Sequence, residues 1–229
     1  MRPALLALGI SLASIGAATA MEPATFSMVR AEFDAARIND ADVLTWEGDA
    51  WVGGDRDKLW FKSEGEIEDG DVTGAEIQAL WSHAIADFWD VQAGVRLDLE
   101  PDSTAHLALG VQGLAPYRFE TEATAFLSEH GDVSARLRQS LDLHLSQRLI
   151  AEPYAALEAY AQDVLRLDVG AGFANGEIGL QVRYEVTRKF APYVDLTWER
   201  ALGETASRRR AAGAEVENAA VRAGLRFWY

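Results

Sequence analysis

AAVRAGLRFWY, Ala219 to Tyr229, closes the chain, and its reading decides the fold. Val221, Ala223, Leu225, Phe227 and Tyr229 share one parity, and Arg222, Gly224, Arg226 and Trp228 share the other. Strict alternation is the period of a β-strand with one apolar and one polar face. A strand left alone at a chain end would expose a row of unpaired N–H and C=O groups. It is therefore expected to pair with a strand near the other terminus and close a sheet, with Phe227, Trp228 and Tyr229 at the closure.

The same alternation recurs upstream. It runs through Val29–Ala35, Leu44–Val52, Leu59–Ile67, Ala75–Ser82, Trp89–Leu99, Ala105–Gln112, Phe119–Leu127, Ala135–Leu145, Ala151–Tyr160, Ile178–Val186 and Val194–Glu199. With the closing stretch this makes about twelve segments, of the length a tilted membrane strand needs. Turn residues punctuate them, among them Gly53-Gly54-Asp55, Asp69-Gly70-Asp71 and His130-Gly131-Asp132. The two long gaps, Gln162–Gly176 and Ala201–Asn218, fall at one end, and the short gaps near Gly113, Gln147 and Lys189 fall at the other. Short periplasmic turns and long outer loops are the habit of outer-membrane barrels. No helical stripe and no domain linker is visible.

Composition narrows the class. The 229 residues are 49% hydrophobic, with net charge −15 and no cysteine. A folded core is expected, and the acidic balance argues against nucleic acid. Absence of cysteine excludes disulfides and thiolate metal sites. Arg2, the apolar run Ala4–Ile15 and the small-residue end Ala18-Thr19-Ala20 read as a secretory signal peptide over 1–20. The run is shorter than the roughly 18–20 residues of a spanning helix. A short extension, 21–27, then leads into one barrel domain, 28–229.

Parity alone does not separate a soluble barrel, apolar face inward, from a membrane barrel, apolar face outward. Three features favour the membrane. The strands are long. The polar face carries both charge signs at close spacing. Trp46, Trp81, Trp89, Trp198 and Tyr229 sit near strand ends, as an aromatic girdle would. The expected fold is an all-β, transmembrane, antiparallel up-and-down barrel of about twelve strands in the outer membrane.

Several stretches also resemble one family. WVGGDRDKLWFKSEGE (Trp51–Glu66) and GVQGLAPYRFETEATAF (Gly110–Phe126) are the most specific. Gly131–Leu137, Ser146–Glu152, Arg183–Pro192 and Ala219–Tyr229 match as well. They resemble the copper resistance protein B family of outer-membrane proteins, over nearly the whole mature chain. The resemblance implies a barrel that protects the cell from excess copper by binding copper ions or passing them outward, with no structural cofactor. It implies as partners the outer-membrane lipid, the barrel-assembly machinery and a periplasmic multicopper oxidase. Many family members carry a methionine- and histidine-rich segment before the barrel. Here Met21–Ser27 fills that place with one methionine and no histidine, so the barrel itself is left to act.

If the polar parity faces the lumen, acids dominate it: Glu32, Glu47, Glu64, Glu66, Glu76, Glu120, Glu122, Glu152, Glu158, Glu185 and Glu199. A narrow acidic passage concentrates cations. The alternative is that these acids pair with the lumen arginines and plug the barrel. Thioether and imidazole donors suit copper. Met28, His106 and His144 have lumen parity, His106 toward the outer mouth and the other two toward the periplasm. His106 and His144 are too far apart to share an ion, and a site joining Met28 to His144 would have to span the lumen. Two rival functions remain, a general small-solute porin and a lipid hydrolase. Ser140 and His144 lie four residues apart on one strand, about 13 Å, which is beyond hydrogen-bond reach and argues against the hydrolase.

Overall fold

The structure, a computed structural model, describes residues 25–229. The signal peptide and the residues up to 24 lie outside the described part. Thirteen strand segments follow in order. The first seven are β1 (Phe26–Ile38), β2 (Ala41–Gly53), β3 (Asp57–Glu68), β4 (Asp71–Ala86), β5 (Trp89–Glu100), β6 (Thr104–Ala115) and β7 (Phe119–Ser128). The rest are β8 (Val133–Ser140), β9 (Leu143–His144), β10 (Leu149–Tyr160), β11 (Gly172–Tyr184), β12 (Phe190–Ala201) and β13 (Glu217–Trp228). Both β8 and β9 pair with β10, so they form one interrupted stave and the barrel has twelve.

Every neighbouring pair is antiparallel, and β13 returns to β1 to close the sheet. At that seam Ala31 stands opposite Phe227 and Arg30 opposite Trp228. Val29 and Tyr229 exchange both backbone hydrogen bonds, at 2.9 and 2.8 Å. Phe227 packs on Phe190 with ring centroids 5.1 Å apart, and the Lys189 ammonium lies 3.4 Å from the Tyr229 ring centroid. Closure leaves no edge strand, which is the condition for a sheet to cross lipid.

The face that points outward is apolar. Val29, Phe33, Leu44, Val52, Phe61, Ile77, Val95, Leu107, Leu109, Ile178, Val194 and Val221 are all exposed, while Glu32, Asp49, Glu76, Gln92, Arg183 and Arg226 are buried inside. This inverts a soluble barrel and selects the membrane reading. The two hairpins at 39–40 and 69–70 carry positive φ at Asn39 (50°), Asp40 (70°), Asp69 (49°) and Gly70 (94°). Such two-residue turns match the twist of the flanking strands.

One stretch differs from the sequence reading. Within the polar gap 201–218, Gly203–Ala211 forms a helix, α1. Glu204 sits in its first turn and Arg208, Arg209 and Arg210 in its last, as the helix dipole favours. Its buried side is only Thr205 and Ala206, so no apolar stripe announces it. Thr205 Oγ1 accepts the Gly170 N–H at 3.0 Å, and Arg208 donates to Asp163 at 2.8 Å. The helix thus docks on the 161–171 connection at the extracellular rim.

Candidate functional site

Register, more than parity, organises the lumen. Glu32 stands opposite Glu47, Glu47 opposite Glu64, Glu64 opposite Glu76, and Glu76 opposite Asp98. Five carboxylates on five successive strands, β1 to β5, therefore form one cross-strand row. Like charges directly opposed destabilise a sheet, so the row requires cations.

Arginines supply some of them, partly from the far wall. Arg136 and Arg138 lie on β8. Arg136 reaches across to Glu64 at 2.7 Å and Glu76 at 3.1 Å, and Arg138 reaches Glu64 at 2.5 Å. Arg96 on β5 binds Glu76 at 2.9 Å and Asp98 at 2.5 Å. At the other end of the row, Arg226 holds Glu32 at 2.8 Å, and Arg30 binds Asp49 at 2.6 Å with a looser reach to Glu47 at 3.5 Å. Arg183 joins Glu152 and Asp142, and Lys62 joins Glu122 at 2.7 Å.

The pairing does not exhaust the acids. A cavity of about 940 Å³ runs inside the barrel, and fifteen carboxylates against seven arginines line it. Its lining extends from Glu66, Glu100 and Pro101 at the extracellular end to Leu114, Glu120 and Ser140 at the periplasmic end. Charge excess in a walled passage concentrates cations and repels anions. Glu32, Glu47, Glu64, Glu66, Glu76, Glu120, Glu122 and Glu158 all line it. Glu185 does not line the cavity; it follows the last residue of β11 at the periplasmic rim. Asp34, Asp98, Glu177 and Asp195 also line the cavity. They share the polar parity, so parity could have found them.

Below the acidic row lies an inward apolar stripe. Met28, Trp51, Trp60, Leu80, Gly94, Ala108 and Phe126 are opposed in sequence across β1 to β7. Rows of opposed residues run oblique to the axis of a tilted barrel, so the stripe climbs from the periplasmic end toward the outer half. Gly94 is a close approach: a Cβ there would strike the Ala79 carbonyl. Trp51 and Trp60 pack at 6.1 Å, with Lys58 and Lys62 above them at 5.8 and 5.7 Å.

The three candidate copper ligands do not converge. His106 Nε2 is 3.1 Å from Asp98 Oδ2, and its ring meets Phe126 edge-on at 6.4 Å. His144 is exposed at the periplasmic rim, opposite Ile150. Met28 is opposite Trp51 and packs into the apolar stripe. Among the described residues, no group of three or more His, Asp or Glu side chains has a metal-holding arrangement. Ser140 faces Tyr154 and lines the cavity, whereas His144 faces Ile150, so the two remain four residues apart along β10.

Comparison with known proteins follows the same lines. The family described as Copper resistance protein B precursor matches residues 24–229. Copper resistance protein B of Escherichia coli is 39% identical over 194 residues, which is 84% of this chain and 66% of that protein. The Copper resistance protein B homolog of Pseudomonas syringae pv. tomato is 42% identical over 192 residues, 83% of this chain and 65% of that protein. The chain thus spans slightly under two thirds of these relatives' length. In structure it is similar to the NanC porin, with TM-score 0.57 and 12% identity, covering 88% of this chain and 99% of that one. It is also similar to the KdgM porin, with TM-score 0.53 and 9% identity over 87% and 98%. At such identity these likenesses bear on the fold alone.

Proposed function

The chain belongs to the copper resistance protein B family, and from that premise we propose that this outer-membrane barrel serves copper tolerance by admitting copper ions to its acidic lumen, where they bind transiently and pass through. The single observation that carries the reading is the lining: fifteen carboxylates against seven arginines around one cavity. Carboxylates left without a close guanidinium offer a cation successive weak sites, the condition for entry without trapping. Family and fold point to a protein that is not an enzyme.

Met28 and His144 stand at the periplasmic end, where a soft or borderline metal would first meet the barrel. A periplasmic multicopper oxidase is the partner that the family suggests for that end. The unit that acts is taken to be 28–229, preceded by a signal peptide over 1–20 and the extension 21–27.

A small-solute porin is the second reading, which the cavity of about 940 Å³ inside the barrel favours. Against it stand Arg136 and Arg138, whose ion pairs cross the lumen from β8 to β3. A neutral sugar gains nothing by breaking them, whereas a cation competes for the same carboxylates. Deletion of the gene is expected to lower growth in copper and leave growth in zinc or without added metal unchanged. Equal growth of deleted and intact strains across copper concentrations would refute the copper reading.

A further inference from the structure

Asp195 is 6% exposed, and no cation of the protein comes within ion-pair distance of it among the described residues. A buried charge of this kind is normally paired or bound to a metal. Its own strand neighbour does not help. Arg222 stands directly opposite on β13, but its guanidinium turns to Asp34 at 3.4 Å and Thr45 at 3.2 Å. Asp195 Oδ2 is well supplied, accepting the Tyr154 hydroxyl at 2.8 Å and the Thr197 hydroxyl at 2.9 Å. Oδ1 has no partner.

On the other side, Gln181 of β11 stands directly opposite Asp195. It is 8% exposed, and its Nε2 donates to Glu32 Oε2 at 3.2 Å. That bond fixes which end of the amide is which and leaves Oε1 unpartnered. Directly opposed side chains have Cβ atoms about 4.5–5.5 Å apart. Two buried acceptor oxygens, on directly opposed residues of neighbouring strands, thus lack a donor.

We propose that Asp195 Oδ1 and Gln181 Oε1 hold a hard, oxygen-seeking divalent cation of the calcium type in the cavity wall between β11 and β12. Carboxylate and amide oxygens are what such an ion selects, at about 2.3–2.6 Å, while copper is drawn to nitrogen and sulfur donors. The remaining coordination comes from water on the cavity side, since both residues line the cavity.

The test is equilibrium dialysis of calcium against the full-length barrel, refolded in detergent, in enough sodium chloride to screen diffuse binding. One saturable equivalent is expected for the unaltered protein. Asp195→Asn should lose it while keeping heat-modifiable migration. Gln181→Leu, which leaves the carboxylate in place, should weaken it about tenfold or more, and Gln181→Glu should tighten it. The proposal is overturned if the unaltered barrel binds no saturable calcium. It is equally overturned if the equivalent survives in both Asp195→Asn and Gln181→Leu.

Discussion

Replacement of Arg136 by alanine is expected to destabilise the barrel by about 3 kcal/mol, the lower end of what removing one partner of a buried ion pair costs. The lower end applies because the group lines an open polar cavity. Arg136 joins two members of the acidic row from the far wall, Glu64 at 2.7 Å and Glu76 at 3.1 Å. Without it, two directly opposed carboxylates lose their shared counter-charge. Its guanidinium also lies 5.7 Å from the Phe126 ring centroid, so packing is lost with the charge. Urea unfolding in lipid vesicles measures the loss. The double variant Arg136→Ala/Glu64→Gln should recover part of it, because one of the opposed charges is gone. Unchanged stability of Arg136→Ala would mean that solvent already screens the row and that the cross-lumen pairs hold nothing together.

The second large effect is expected from the acids that arginine does not neutralise. Glu120 and Glu177 line the cavity with no ion pair in the described residues, and Glu47 has only Arg30 at 3.5 Å. Glu177 is also directly opposed by Glu199 across β11 and β12. The triple variant Glu47→Gln, Glu120→Gln, Glu177→Gln removes three negative charges without orphaning a tightly held arginine. It should fold as well as the parent, or better. Copper tolerance of cells carrying it should fall toward that of the deletion strain. Cation entry should drop about tenfold or more at low ionic strength and less at high salt. Tolerance equal to the parent's would remove these acids from the copper path.

Much of the architecture was legible because a strand writes its two faces into alternate residues. Each of the twelve alternating segments, from Val29–Ala35 to Ala219–Tyr229, falls on one stave and overruns its ends by no more than two residues, Ala135–Leu145 covering the interrupted stave of β8 and β9. The lumen acids were legible as a set for the same reason. Their order was not. Parity says that Glu32, Glu47, Glu64 and Glu76 face inward, but only hydrogen-bond register sets them side by side, and register depends on turn length and on bulges such as the one between Glu66 and Ile67. Parity was also silent on Leu80, Ala108 and Phe126, which are apolar yet face inward; an apolar residue on the polar face reads as an irregularity until its cross-strand neighbours are known. Helix α1 left no trace because it buries only Thr205 and Ala206, too little for a stripe. The unpartnered oxygens of Asp195 and Gln181 depend on where Arg222 and Glu32 direct their bonds, and no sequence pattern encodes that.

The central claim is that this acidic lumen carries copper ions rather than small neutral solutes. Flux through the purified barrel in liposomes tests it most directly, with copper, zinc and a small neutral sugar supplied in turn. The account predicts copper entry that is saturable, that exceeds sugar entry, and that falls in the triple glutamate variant. Sugar flux equal to copper flux and indifferent to the triple substitution would contradict it and leave a general porin in its place.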